Sequence, residues 1–320
     1  MSASYNKIDY RLRIAKSVER RMMGSLFQNL NAFYPLEKYK YIGFGSVSFL
    51  DFSLFHRLLG INEMISIERE EHDKARFEFN NPYACIEIEW GESKDILPKI
   101  DISEKSIIWL DYDDKLTTDI LSDIDMVFNR LNSGSFFCVS YNAQQDSEKD
   151  EKSRFEQISE RIDNRYFPEY LYHNPNLNKT GIRKAYFDII KNLIIESIKI
   201  RNENGDDISV KQLLFFSYND GAEMNTIGWL FYNSQDKDKV DFILNKQFSF
   251  VKSENSPFEI KVPCLTYKEM RAIEEKFPNL KKCLQHYDKG KAKGGMLNQS
   301  DIEDYFNIYK NFSLFAEISL

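Results

Sequence analysis

A chain of 320 residues can bury a substantial core, in one large domain or two modest ones. Its 42% hydrophobic content, with 25 Phe and 18 Tyr, excludes an extended disordered chain, and its formal net charge of -7 argues against a general duplex-DNA binder, which needs a strongly basic face. The first thirty residues are charged and no apolar run is long enough to cross a bilayer, so neither a signal peptide nor a transmembrane helix is expected, and the cytoplasm is the simplest location. In chain order, "DYRLRIAKSVERRMMGSLFQNLNAF" carries Ile14, Val18, Met22, Leu26 and Leu30 at four-residue steps, with Arg11, Arg13, Arg20 and Arg21 around that stripe. This predicts an amphipathic helix packed on the main body.

A strand follows in "KYIGFGSVSF", broken by its glycines, then a helix in "DFSLFHRLLGI" and a second strand in "EMISIE". The alternation continues through a helix in "EHDKARFEFNN", a third strand in "ACIEIEWG" and a strongly apolar fourth strand, "SIIWLDYDD", that ends in acids. "LTTDILSDIDMVFNRLNSG" reads as a helix stopped at Asn132-Ser133-Gly134, and "SFFCVSYNA" as a fifth strand. Strands alternating with helices predict βαβ units, a parallel sheet and a doubly wound α/β domain whose ligands bind at the carboxyl ends of the strands. From Gln144 to about Leu177 the pattern weakens, and an exposed loop or surface helix is expected. Beyond it, "IRKAYFDIIKNLIIESIKIRN" predicts a long helix, and "VKQLLFFSYNDGAEMNTIGWLFYN" an antiparallel hairpin turning at Asn219-Asp220-Gly221. The tail from Ser234 mixes helical stretches with loops, among them the lysine-rich "KKCLQHYDKGKAKGG". The expected organisation is a helical segment over 1–38, an α/β domain over 39–234 with an irregular insertion at about 144–180, and a mainly helical extension over 235–320.

Five strands followed by a helix and a hairpin, with this glycine turn and these acids, resemble the class I, Rossmann-like S-adenosylmethionine-dependent methyltransferases. Within that class the chain looks most like bacterial proteins described as O-methyltransferases. The resemblance covers roughly Tyr41 to Asn233 and implies a doubly wound, mostly parallel seven-stranded sheet with a terminal antiparallel hairpin. It implies S-adenosylmethionine as cofactor and an unidentified methyl acceptor.

Four motifs carry it. The turn Gly43-Phe44-Gly45-Ser46 would let the backbone approach the cofactor closely and reach positive φ, although Tyr41 stands where such enzymes often carry an acid. Glu68, ending the second strand, would offer its two carboxylate oxygens to the two ribose hydroxyls; a solvated strand-end glutamate is the plainer reading. Gly91-Glu92-Ser93 would meet the adenine edge, or simply cap the next helix. Asp111-Tyr112-Asp113-Asp114 gathers carboxylates that repel one another unless a cation, a metal or a proton offsets them. Asp111 would face the methyl group and its acceptor, Tyr112 would orient the acceptor or shape the pocket, and Asp113 would act as general base or metal ligand; Asp114 would cap the following helix.

After the fifth strand, Ser140-Tyr141-Asn142 offers Asn142 but lacks the preceding acid of the metal-assisted O-methyltransferases, so no metal ligands are assigned, although an oxygen-rich magnesium or calcium site stays open. Cys85, Cys138, Cys264 and Cys283 show no CxxC spacing, which fits buried thiols in a reducing compartment. No Ser-His-Asp or Cys-His arrangement can be read. Two other readings stay open: a cofactor- or nucleotide-binding regulatory module without turnover, and a nicotinamide-dependent dehydrogenase, against which the hairpin and the acidic fourth strand count. The lysines around Lys289 to Lys293 would suit an anionic acceptor, or form a solvated loop. Acceptor and oligomeric state are not legible in the sequence.

Overall fold

The computed structural model describes residues 13–146, 150–173, 175–291 and 294–313. The strands are β1 (Lys40–Gly43), β2 (Glu63–Glu68), β3 (Ile86–Trp90), β4 (Ser106–Lys115), β5 (Phe136–Asn142), β6 (Ser209–Asn219), β7 (Glu223–Tyr232) and β8 (Phe258–Ile260). They form one sheet in the order β3-β2-β1-β4-β5-β7-β6-β8. Every neighbouring pair is parallel except the two that β7 makes, with β5 and with β6. The sheet therefore has eight strands, where the sequence leads one to expect seven. The extra strand comes from the tail: three residues too short to show a period lie parallel to β6 and cover its open edge.

The helices before the hairpin are α1 (Ile14–Phe27), α2 (Leu50–Leu59), α3 (Lys74–Asn80), α4 (Ser93–Ile96), α5 (Thr118–Phe128), α6 (Glu151–Arg161), α7 (Tyr170–His173) and α8 (Lys179–Glu203). After it come α9 (Lys237–Leu244), α10 (Tyr267–Glu274), α11 (Leu280–Tyr287) and α12 (Gln299–Ile308). Successive strand residues serve opposite faces. Tyr41, Ile107, Trp109 and Cys138 pack into one hydrophobic core with α1, α2, α3 and the tail helices. Ile42, Ile108, Leu110 and Val139 pack into the other with α4, α5 and α8. Thr117 caps α5 by accepting from the Ile120 amide, and α5 ends at Phe128, ahead of the expected stop. Gly134, at φ +89°, instead turns the chain into β5.

The expected helix at the amino terminus is α1, but it is not simply amphipathic. Lys16, Glu19 and Arg20 are buried together with Val18, Met22 and Leu26. Four-residue spacing identified the apolar stripe; it gave no sign that the neighbouring charged face also turns inward. The lysine-rich stretch is likewise not one loop, since Lys281 and Lys282 lie on α11. Lys289 and Lys291 are exposed, whereas Arg11 and Lys293 lie outside the described residues. Among the described residues no helix is long and apolar enough to cross a membrane. All four cysteines are free, Cys138 and Cys283 being buried and Cys264 exposed.

Candidate functional site

Strand order changes direction at β1, which is flanked by β2 on one side and β4 on the other. Ligands of open α/β sheets sit at the carboxyl ends beside such a switch. A cleft lies there, lined among others by Phe44, Gly45, Ser46, Glu68, Gly91, Glu92, Ser93, Asp111, Tyr112 and Asp113. The four sequence motifs thus converge on one wall. Gly43 is the exception: it pairs inside the sheet, where a Cβ would come within 3.0 Å of the Trp109 carbonyl and of the Tyr41 hydroxyl.

The glycine turn works differently from the sequence expectation. The positive φ angles fall on Ser46 (50°) and Phe49 (46°), not on the glycines. A phenylalanine in the left-handed region is held there only by its surroundings, at a cost of about 1–3 kcal/mol. Gly45 provides the room, because a Cβ there would lie 2.6 Å from both the Phe49 ring and Ser66 Oγ. The Gly45 amide donates to Ser66 Oγ at 2.9 Å, and Ser66 Oγ donates to Glu68 Oε1 at 2.7 Å. Turn and acid are therefore one hydrogen-bonded unit. Glu68 is only 7% exposed. Burial pushes its carboxyl up to about 7, against the opposing pull of Ser66 and the Ser46 and Gly45 amides. Gly91, at φ +145°, closes this side with its amide on the Glu68 carbonyl at 2.9 Å.

β4 reaches the other side through an irregularity. Its pairing with β5 is regular to Asp111 opposite Ser140, then slips until Lys115 meets Asn142. The intervening residues leave the ladder and line the cleft. The Tyr112 hydroxyl is engaged within the protein: it donates to Asp123 Oδ2 at 2.6 Å, beside Ser93 Oγ on the same oxygen at 2.5 Å. Its ring packs edge-on against Phe44, with centroids 5.1 Å apart, and that ring is its contribution to the wall. Ser93 is committed to the same carboxylate. Asn142 accepts from the Gln144 amide and closes a turn, while Tyr141 is buried in the core.

Asp111 is not an isolated acid. Lys16 of α1, 1% exposed, donates to Asp111 Oδ1 at 2.6 Å and to the Tyr218 hydroxyl at 3.0 Å, and pairs with Glu19 Oε2 at 2.9 Å. Its Nζ also stands 4.4 Å from the centre of the Trp109 ring. Burial alone would push Lys16 down, but the carboxylates of Asp111 and Glu19 outweigh it and hold the ammonium well above its ordinary range. Glu19, fully buried, is pushed up by burial. Asp113 is more exposed, and Arg13 approaches it at 3.8 Å.

The position before the turn, where an acid was missing, is served from elsewhere. Tyr41 donates to Asp51 Oδ2 at 2.5 Å, and Asp51, in the first turn of α2, lines the cleft with Arg20. Burial raises the Asp51 carboxyl and the nearby Arg20 opposes that rise. Asp51, Arg69, Glu70 and the linking Ser66 were not singled out in the sequence, and Arg20 only as one of the arginines around the stripe of α1. Adjacency to Glu68 was a signal for Arg69 and Glu70; for Arg20 and Ser66 there was none. Seven carboxylates and two guanidinium groups line the cleft, which favours a ligand of net positive charge. No three His, Cys, Asp or Glu side chains among the described residues are grouped to hold a metal ion.

A family model described as "Putative O-methyltransferase" matches residues 8–320. No protein of curated function matches the sequence. Among solved structures, the complex of LepI with SAM aligns at a TM-score of 0.39 and 8% identity, over 64% of this chain and 46% of that one. The transferase PH0793 of Pyrococcus horikoshii gives 0.39 and 11% identity, over 72% and 68%. The fibrillarin pre-rRNA processing protein of Methanococcus jannaschii gives 0.37 and 11%, over 62% and 70%. This chain spans less than half the length of the LepI chains, 43% and 46% in the two complexes. Likeness at that level says nothing of activity.

Proposed function

The chain belongs to the O-methyltransferase family that its sequence matches almost end to end, and from that premise we propose that the cleft binds S-adenosylmethionine and serves methyl transfer to an oxygen of an acceptor. The observation that carries the proposal is the unit Gly45–Ser66–Glu68, which aims a desolvated carboxylate into the same cleft as Gly91–Ser93 and Asp111. The fit of these residues to the cofactor is supported by groups without partners: the buried Ser46 Oγ and Arg20 Nε have no hydrogen bond, and both residues line the cleft. The excess of carboxylates suits a donor that carries a sulfonium.

In this reading Glu68 would accept from the two ribose hydroxyls, Glu92 and the Gly91–Ser93 backbone would hold the adenine, and Phe44 with the Tyr112 ring would form the apolar wall. When bound, the cofactor would supply an activated methyl group. The protein's task is then positioning. Lys16 holds Asp111 in place at the methyl side. With Asp111 Oδ1 held by Lys16 and the Tyr112 hydroxyl on Asp123, Asp113 is the residue we assign to the acceptor's proton. The tail over 235–320 and α1 are assigned to the acceptor side of the domain over 39–234, and an anionic acceptor is the chemistry that exposed Lys289 and Lys291 would suit. Free thiols at all four cysteines support action in a reducing cytoplasm, as in bacteria.

The engagement of Asp111 and Tyr112 also supports a second reading, a binding module without turnover. Calorimetric titration of S-adenosylhomocysteine tests the shared premise. Micromolar binding is expected for the wild type, with a loss of about tenfold to a hundredfold in Glu68→Ala. No heat from the folded wild type would overturn both readings. Formation of S-adenosylhomocysteine from S-adenosylmethionine across a panel of hydroxyl and carboxyl acceptors separates them.

A further inference from the structure

α1 brings two cations, Lys16 and Arg20, one helical turn apart to the same region of the molecule. Their situations differ. Lys16 is fully engaged by Asp111, Tyr218 and Glu19. Arg20 is 8% exposed and lines the cleft, yet its buried Nε has no hydrogen-bond partner. The acid beside it on the wall, Asp51, accepts the short hydrogen bond from Tyr41 and attracts Arg20 through space, but no hydrogen bond joins the two. A guanidinium desolvated with an unused donor is costly unless something supplies the acceptor. The other arginine of the cleft, Arg69, is 59% exposed and stands 3.5 Å from Glu70, so water and that acid satisfy it. Arg20 is thus the cation prepared for an incoming anion in a cleft otherwise lined by acids.

We propose that Arg20 is a specificity-determining residue that receives the α-carboxylate of an amino-acid group, while the outward oxygen of Asp111 receives its α-ammonium. The ligand chemistry is a nucleoside bearing a zwitterionic amino acid, and the assignment rests on the S-adenosylmethionine reading above. It orients the ligand along the cleft. Glu68 takes the sugar, and Arg20 with Asp111 takes the amino-acid end, with the transferable group between them. The arrangement makes the amino-terminal helix, outside the α/β core, a necessary part of ligand recognition.

The test compares S-adenosylhomocysteine with 5′-methylthioadenosine, which shares the sugar and base and lacks the amino acid. Wild-type protein is expected to bind S-adenosylhomocysteine about tenfold to a hundredfold more tightly. Arg20→Met should lose most of that preference by weakening S-adenosylhomocysteine alone, and Arg20→Lys should recover part of it. Equal weakening of both ligands in Arg20→Met, or an unchanged preference, would overturn the assignment. The wild-type comparison with the α-carboxamide of S-adenosylhomocysteine needs no variant, and equal affinity for acid and amide would overturn it as well. Binding of neither nucleoside to the wild type would bring down the cofactor reading itself; binding of both without preference would bring down only the role of Arg20.

Discussion

At the Glu68 end of the cleft, every contributing group comes from neighbouring β–loop units: Gly45 after β1, Ser66 and Glu68 in β2, Gly91 after β3. At the Asp111 end, the acid of β4 is held by Lys16, 95 positions earlier, which also donates to the Tyr218 hydroxyl on β6. The first end carries a carboxylate that is buried without a cation, which is poor for stability and good for a ligand. The second is a packed ion network in which one ammonium, Lys16, is shared by Asp111 and Glu19. The difference teaches that the acids of one cleft serve separate purposes, Glu68 being kept for a ligand and the inner oxygen of Asp111 for the fold.

Removing Lys16 should expose that contrast most sharply. Lys16→Met leaves Glu19 and one oxygen of Asp111 uncompensated, and should lower the unfolding free energy by about 3–5 kcal/mol in urea titrations. A loss under about 1 kcal/mol would mean the network is not structural. Glu68→Gln should behave in the opposite way, weakening S-adenosylhomocysteine by about tenfold to a hundredfold with stability kept or improved. The pH dependence follows from the raised carboxyl. Because the folded value, about 7, lies above the unfolded one, the native state holds the extra proton between about 4.5 and 7, and the wild type loses stability relative to Glu68→Gln as pH rises through that window. Ligand affinity runs the other way, falling up to about tenfold per unit as pH drops below 7, if the ionised form accepts the hydroxyls. Binding isotherms from pH 8 to 6 in both proteins check this, and parallel curves would refute it.

Gly45→Ala probes the joint between turn and acid. Its Cβ would meet Phe49 and Ser66 at 2.6 Å, so a loss of about 1–3 kcal/mol is expected, with weaker ligand binding in step. The smallest effect belongs to Tyr112→Phe. It removes one hydrogen bond to Asp123 and keeps the ring, so about 0.5–1.5 kcal/mol of stability should go while methyl transfer persists. Abolished transfer at full stability would restore Tyr112 to the chemistry.

Much of the Glu68 end was legible because its groups follow local rules: a turn after one strand, an acid at the end of the next, a glycine after the third. The parallel sheet followed from the same alternation, and the hairpin from two apolar runs joined at Asn219-Asp220-Gly221. What stayed hidden depended on distant parts of the chain. The partnership of Lys16 with Asp111 needs α1 packed over the sheet, and an apolar stripe does not reveal which charged residues turn inward beside it. Tyr112 was expected to orient the acceptor or shape the pocket, and nothing in the sequence near β4 shows that Asp123 of α5 accepts its hydroxyl. β8 was invisible for a simpler reason, since three residues carry no period.

A crystal structure of the protein with S-adenosylhomocysteine would test the two-ended account most directly. Both ribose hydroxyls are expected within hydrogen-bond distance of the Glu68 carboxylate, with the amino-acid group lying between Arg20 and Asp111. A ligand bound elsewhere, or bound in reverse with its amino-acid group toward Glu68, would contradict it.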